Sequence, residues 1–122
     1  GIGAAVAAHL ARIGHDLVLM DIDGDGLEIA ARQLPGRMAV SVGSVADAGQ
    51  CESAVALAVE RFGGLDGVSH NAGIQRYGDV VSTSMDIWNE VLAVNLTGAF
   101  LVAKAAMLNF AGQGAAVFTA SV

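Results

Sequence analysis

"MDIDGDGLE", residues 20–28, admits two readings that lead to different proteins. Asp21, Asp23 and Asp25, followed by Gly26, have the opening spacing of an EF-hand calcium loop. The same letters also fit a β-strand that ends on an acid and hands the chain to a helix. An EF-hand needs a bidentate glutamate at its twelfth position, and counting from Asp21 that position is Arg32. The eighth position, ordinarily apolar, is Glu28, and the preceding "DLVLM" favours strand over helix. The calcium reading fails, and the stretch is a strand end.

Working outward, the chain alternates helix and strand. An Ala-rich run over residues 2–13 predicts a helix, with Gly14 as its C′ residue. Residues 16–22 read as a buried strand, and "GLEIAARQL" (residues 26–34) as a helix stopped by Pro35 and Gly36. Residues 37–42 form a second strand. Asp47 can cap a helix running to about Phe62, ended by Gly63 and Gly64. "LDGVSH" (residues 65–70) is a third strand, followed by a loop. Ser84 then opens a long helix to about Asn109, apolar nearly all round at its middle, so another layer or molecule must cover it. "GAAVFTA" (residues 114–120) is the last strand, again expected to be buried. This order points to an α/β domain with a parallel sheet.

Bulk composition narrows the function. Apolar residues make up 54% of the 122 and charged residues 15%, so one packed domain is expected rather than disorder. Net charge is −6 without a basic cluster, which argues against a nucleic-acid surface. Residues 105–122 carry no charge, but Asn109, Gly112, Gln113 and Gly114 interrupt them, so no membrane segment is expected there. The single cysteine, Cys51, cannot form an internal disulfide, which points to a reducing, cytoplasmic compartment.

The strand-end acid gains meaning from the start of the chain. "GIG" (Gly1, Ile2, Gly3) opens a helix, and Asp21 closes the next strand. A glycine turn lets backbone N–H groups and a helix N-terminus approach a pyrophosphate. A carboxylate about 20 residues further on can accept ribose hydroxyls while repelling a 2′-phosphate. Taken alone, a tight turn with a strand-end acid explains these residues as well.

Three further stretches follow in order: "HNAG" at residues 70–73, "VNLTGAF" at 94–100 and "TASV" at 119–122. With "GIG" and Asp21 they resemble the short-chain dehydrogenase/reductase family over essentially the whole chain. The spacing from Asn71 to Asn95 to Ser121 carries the resemblance. It implies a doubly wound, Rossmann-like, three-layer αβα sheet in a single dinucleotide-binding domain over residues 1–122. It also implies hydride transfer between NAD(H), in preference to NADP(H), and a small-molecule alcohol or carbonyl. By resemblance, Gly1 and Gly3 match the last two glycines of T-G-x-x-x-G-x-G, with Ile2 between them. Asp21 matches the acid that selects NAD, and Ile22 is not the basic residue expected for NADP. Asn71, Ala72 and Gly73 match the stretch passing close to the cofactor. Asn95 matches the helix asparagine of the catalytic tetrad, and Ser121 the serine that hydrogen-bonds the reacting oxygen. A homodimer or homotetramer built partly on the long helix is implied too.

The departures from the family pattern are specific. His70 stands where a first asparagine is usual, and Ser44, before Val45, where an aspartate often accepts from the adenine amino group. No Y-x-x-x-K follows Ser121, and the single tyrosine, Tyr77, has no lysine four residues later. The strand expected before Gly1 is also absent. These 122 residues are therefore expected to be the interior of a longer chain, inactive alone, with two half-sheets lacking their shared middle strand. A non-catalytic nucleotide-binding or structural fragment is the alternative. Other residues are given plainer roles: His9 and His15 as surface or packing groups, Cys51 as an inert thiol, Trp88, Val91 and Phe100 as core or interface. Gln75 and Val122 are suggested as substrate-pocket residues.

Overall fold

A computed structural model describes residues 1–121; Val122, suggested above for the substrate pocket, lies outside them. Helix α1 (Ile2–Arg12) leads to β1 (Leu17–Asp21), α2 (Gly24–Gln33), β2 (Met38–Val42), α3 (Ala48–Phe62) and β3 (Leu65–His70). After a long loop come α4 (Met85–Leu92), a π-helical turn (Ala93–Thr97), α5 (Gly98–Met107) and β4 (Phe110–Phe118). The starts and stops follow local chemistry. Asp23, Asp47 and Ser84 each cap a helix by accepting a backbone N–H three residues on. Gly14 and Gly63 follow α1 and α3 with φ of +96° and +84°, conformations that a side chain would oppose.

All strand pairing is parallel, as expected, but the sheet is two pairs, β1 with β2 and β3 with β4. Among the described residues no backbone pairing joins the pairs, as the half-sheet reading anticipates. Helices bridge them instead: α1 touches both β1 and β3, and α3 touches β1, β2 and β3. The layer is completed by α5, which packs on α3, β3 and β4. Small side chains let these elements approach closely, and the buried set is mostly alanine: Ala11, Ala39, Ala54, Ala58, Ala105 and Ala106, with Leu27 and Cys51.

Three expectations need correction. The first strand, read as buried, is half-buried, because β1 pairs along one edge only. The last strand, also read as buried, is mostly exposed for the same reason. It begins earlier, at Phe110, yet its regular pairing with β3 runs only from Ala115 to Phe118, after an irregularity that Gly112 (φ +92°) accommodates. For Trp88 and Phe100, read as core or interface, the core half fails: both are more than half exposed, which leaves the interface half.

Candidate functional site at the carboxyl edge

Parallel strands put all their C-terminal ends on one edge, where α/β sheets bind ligands. Three links gather the sequence-predicted residues there. Beyond β1, Gly43 N–H donates to the Asp21 carbonyl at 2.9 Å, bringing Ser44 and Val45 beside the acid. A Cβ built on Gly3 would lie 3.5 Å from Asn71 Cβ, so the first turn of α1 meets the end of β3. Thr119 joins β4 to β3: its N–H donates to the His70 carbonyl (2.9 Å) and its Oγ1 to Asn71 Oδ1 (2.6 Å). Ser121 follows two residues later and is exposed.

The edge is equipped for an anionic dinucleotide. Gly1 is the N-cap of α1 and offers no side chain to its first-turn N–H groups, no acid sits in that turn, and the space beside Gly1 is open. Those donors and the helix dipole suit a phosphate. Asp21 is exposed, accepts one backbone bond from Asp23 N–H at Oδ1 (3.1 Å), and pairs with no cation among the described residues. Its second oxygen remains available to hydroxyl donors. Ser44 Oγ accepts from Ala46 N–H (3.1 Å), which leaves the hydroxyl one acceptor site and its proton for an adenine edge. The residues present therefore fit a nicotinamide dinucleotide, NAD(H) or NADP(H).

Asn95 sits within the π-helical turn, where Gly98 N–H reaches back five residues to the Ala93 carbonyl. Its amide exchanges two 2.8 Å bonds with the backbone of Ile74, accepting from N–H and donating to C=O. The asparagine thereby fixes the loop after Gly73, and a Cβ on Gly73 would come within 3.4 Å of Asn95 Oδ1. A second tie, Arg76 to Glu90 at 2.8 Å, holds the same loop to α4. Further along, Asp79 accepts from Val81 N–H, Ser82 N–H and Ser82 Oγ; these bonds hold its carboxyl below the ordinary range and shape the turn into Ser84.

Some functional features escaped sequence reading. Thr119 reads as an ordinary strand-end residue, and its tie to Asn71 spans 48 positions. The π turn leaves no local signature beyond a polar residue inside an apolar helix. Gln75 is not among the residues around a hollow of about 230 Å3 between the loop and α4, walled by Arg76, Thr83, Trp88 and Val91. Cys51 is buried; burial foremost, then Asp47 and Glu52, pushes its thiol up, and its Sγ–H meets the Val45 carbonyl at 3.4 Å. That combination suits an inert thiol.

Comparison with known proteins agrees with the fold. The family described as enoyl-(acyl carrier protein) reductase matches residues 1–122. Among curated proteins, D-threitol dehydrogenase of Mycolicibacterium smegmatis is 36% identical over 127 residues, covering 99% of this chain and 48% of that protein. Levodione reductase of Leifsonia aquatica is 33% identical over 130 residues, covering 100% of this chain and 49% of its own length. The chain thus spans about half the length of these relatives. A solved short-chain dehydrogenase/reductase of Brucella melitensis, described as a glucose/ribitol dehydrogenase, superposes with a TM-score of 0.95 at 35% identity. That match covers all of this chain and 51% of the other.

Proposed function

The chain belongs to the short-chain dehydrogenase/reductase family, and on that premise we propose that it binds NAD(H) at its carboxyl edge and serves hydride transfer to or from a small alcohol or carbonyl. The observation that carries this reading is the pairing of an uncapped α1 N-terminus with the unpaired Asp21 carboxylate at the same edge. Backbone N–H groups of the first turn would hold the pyrophosphate, and Asp21 would accept the adenosine ribose hydroxyls while repelling a 2′-phosphate. Ser44 and Val45 would flank the adenine, and the backbone of residues 71–73 would lie against the cofactor. When bound, the nicotinamide supplies or receives the hydride.

Ser121 would donate a hydrogen bond to the substrate oxygen as negative charge develops there. Asn95 holds the loop at Ile74 and keeps spare amide capacity for an ordered water. The single tyrosine, Tyr77, lies at the exposed loop tip with no lysine partner, so it is not assigned the proton transfer. The alternative reading is nucleotide binding without turnover. Titrating the purified protein with NAD and NADP, then assaying hydride transfer with simple secondary alcohols, separates the two. Preferential NAD binding with turnover supports the first reading, binding without turnover the second, and no binding overturns both.

We also infer a homo-oligomer built on the outward face of the long helix, where Trp88, Leu96 and Phe100 stand exposed.

A further inference from the structure

His70 is the buried polar side chain of this chain's described residues, only 6% exposed, and its Nε2 has no hydrogen-bonding partner. The ring packs on Phe118 of the neighbouring strand with centroids 5.6 Å apart, while its carbonyl receives Thr119 N–H. A neutral imidazole tolerates this seat, because Nε2 can stand as a bare lone pair with the proton on Nδ1. An imidazolium does not. Its Nε2 would become a charged donor with no acceptor, in a place closed to water.

The packed elements offer no compensating charge. β4 has no titratable side chain, α5 has Lys104, α3 has Cys51, Glu52, Glu60 and Arg61, α1 has His9 and Arg12, and β3 itself has Asp66. All but Cys51 are exposed, and none bonds the ring.

We propose that His70 is a positioning residue of the cofactor edge: its neutral ring locks the ends of β3 and β4 together, and its protonation releases residues 71–73 and 119–121 as a unit. The inference rests on the functional reading of that edge, but its test is read without cofactor. Burial lowers the His70 pKa from 6.5. As pH falls below the unfolded value, the unfolded chain takes a proton that the folded ring refuses. Stability contributed by the neutral ring is therefore full above pH 6.5 and is lost downward to the depressed folded value, below which the loss is complete.

The experiment follows the histidine Cε1–H and backbone amide signals of the protein by NMR, from about pH 8 to about pH 5. His70 should hold its neutral shift below the ordinary histidine range. When it titrates, the amides of Asn71, Gly73 and Thr119 should move with the same midpoint. In His70→Phe, which keeps the ring contact and cannot protonate, that shared amide step should vanish. Titration of His70 at its ordinary value, or amides that ignore it, overturns the proposal, and the wild-type titration decides alone should the variant not fold. Failure to bind NAD would sink the functional reading while leaving these signals untouched.

Discussion

Asp21 has one oxygen committed to Asp23 N–H and the other open, so its two roles can be separated by substitution. Asp21→Ala removes acceptor and charge together. Loss of charge-assisted bonds of about 1.5–3 kcal/mol should weaken NAD binding roughly 10- to 100-fold and narrow the discrimination against NADP. Asp21→Asn keeps an acceptor, so it should lose less NAD affinity while still admitting NADP; calorimetric titration of both cofactors reads this, and unchanged affinities remove Asp21 from the site. Ser121→Ala should lower turnover about 100-fold or more in the intact enzyme and leave NAD affinity nearly unchanged, as loss of one oxyanion donor does. Equal turnover would end its proposed role. At this scale, what could be read in advance was local. The caps of Asp47 and Ser84 follow from spacings of three residues, whereas the partners of Asn95 and Thr119 lie 21 and 48 positions away and are set only by packing.

Between elements, a tight constraint joins the loop at Val45 to α5. A Cβ on Gly98 would fall 2.8 Å from Val45 Cγ2, 3.2 Å from Val45 Cβ and 3.3 Å from the Val45 carbonyl. Helix propensity alone would favour Gly98→Ala by about 1 kcal/mol. The clash is with atoms at or next to the backbone, and overpacking of this kind costs about 1–3 kcal/mol, so the clash wins or at least cancels the gain. The variant should melt no higher than the parent and bind NAD more weakly, because Val45 must shift. Gly64→Ala, with open space around its Cβ, is the control and should leave both properties within error. A Gly98 variant that melts higher and binds NAD normally would show that the loop yields without consequence. Element boundaries were largely visible in the sequence: β3 matches residue for residue, since "LDGVSH" lies between a helix-ending glycine pair and a loop. The long helix was read as continuous because its hydrophobic pattern runs through the π turn, in which Asn95 bonds the backbone of Ile74.

On the scale of the molecule, two half-sheets and a mostly alanine core leave much apolar surface uncovered. The sequence foretold the parallel pairing and the separation of the pairs, but not which faces would lie open, because exposure is a property of the assembled elements. The most regular open face runs along Trp88, Leu92, Leu96 and Phe100, one residue in four, with Trp88 54%, Leu96 65% and Phe100 61% exposed. The helical stretch Met85–Met107 is long and apolar enough to cross a membrane by length and composition. Yet Gly98, Ala105 and Ala106 are buried where α5 packs on α3, β3 and β4, so the C-terminal part of the stretch is held against the domain on one side. A one-sided apolar stripe on a helix already packed in a domain suits a second protein surface better than a bilayer. Leu96→Glu with Phe100→Glu should therefore convert a dimer or tetramer to monomer in sedimentation velocity. Circular dichroism should be preserved, since both side chains point to solvent in the isolated chain. A wild-type protein that sediments as a monomer at tens of micromolar would refute self-association through this face, and co-sedimentation with neutral lipid vesicles, abolished by the same pair, would reassign it to lipid.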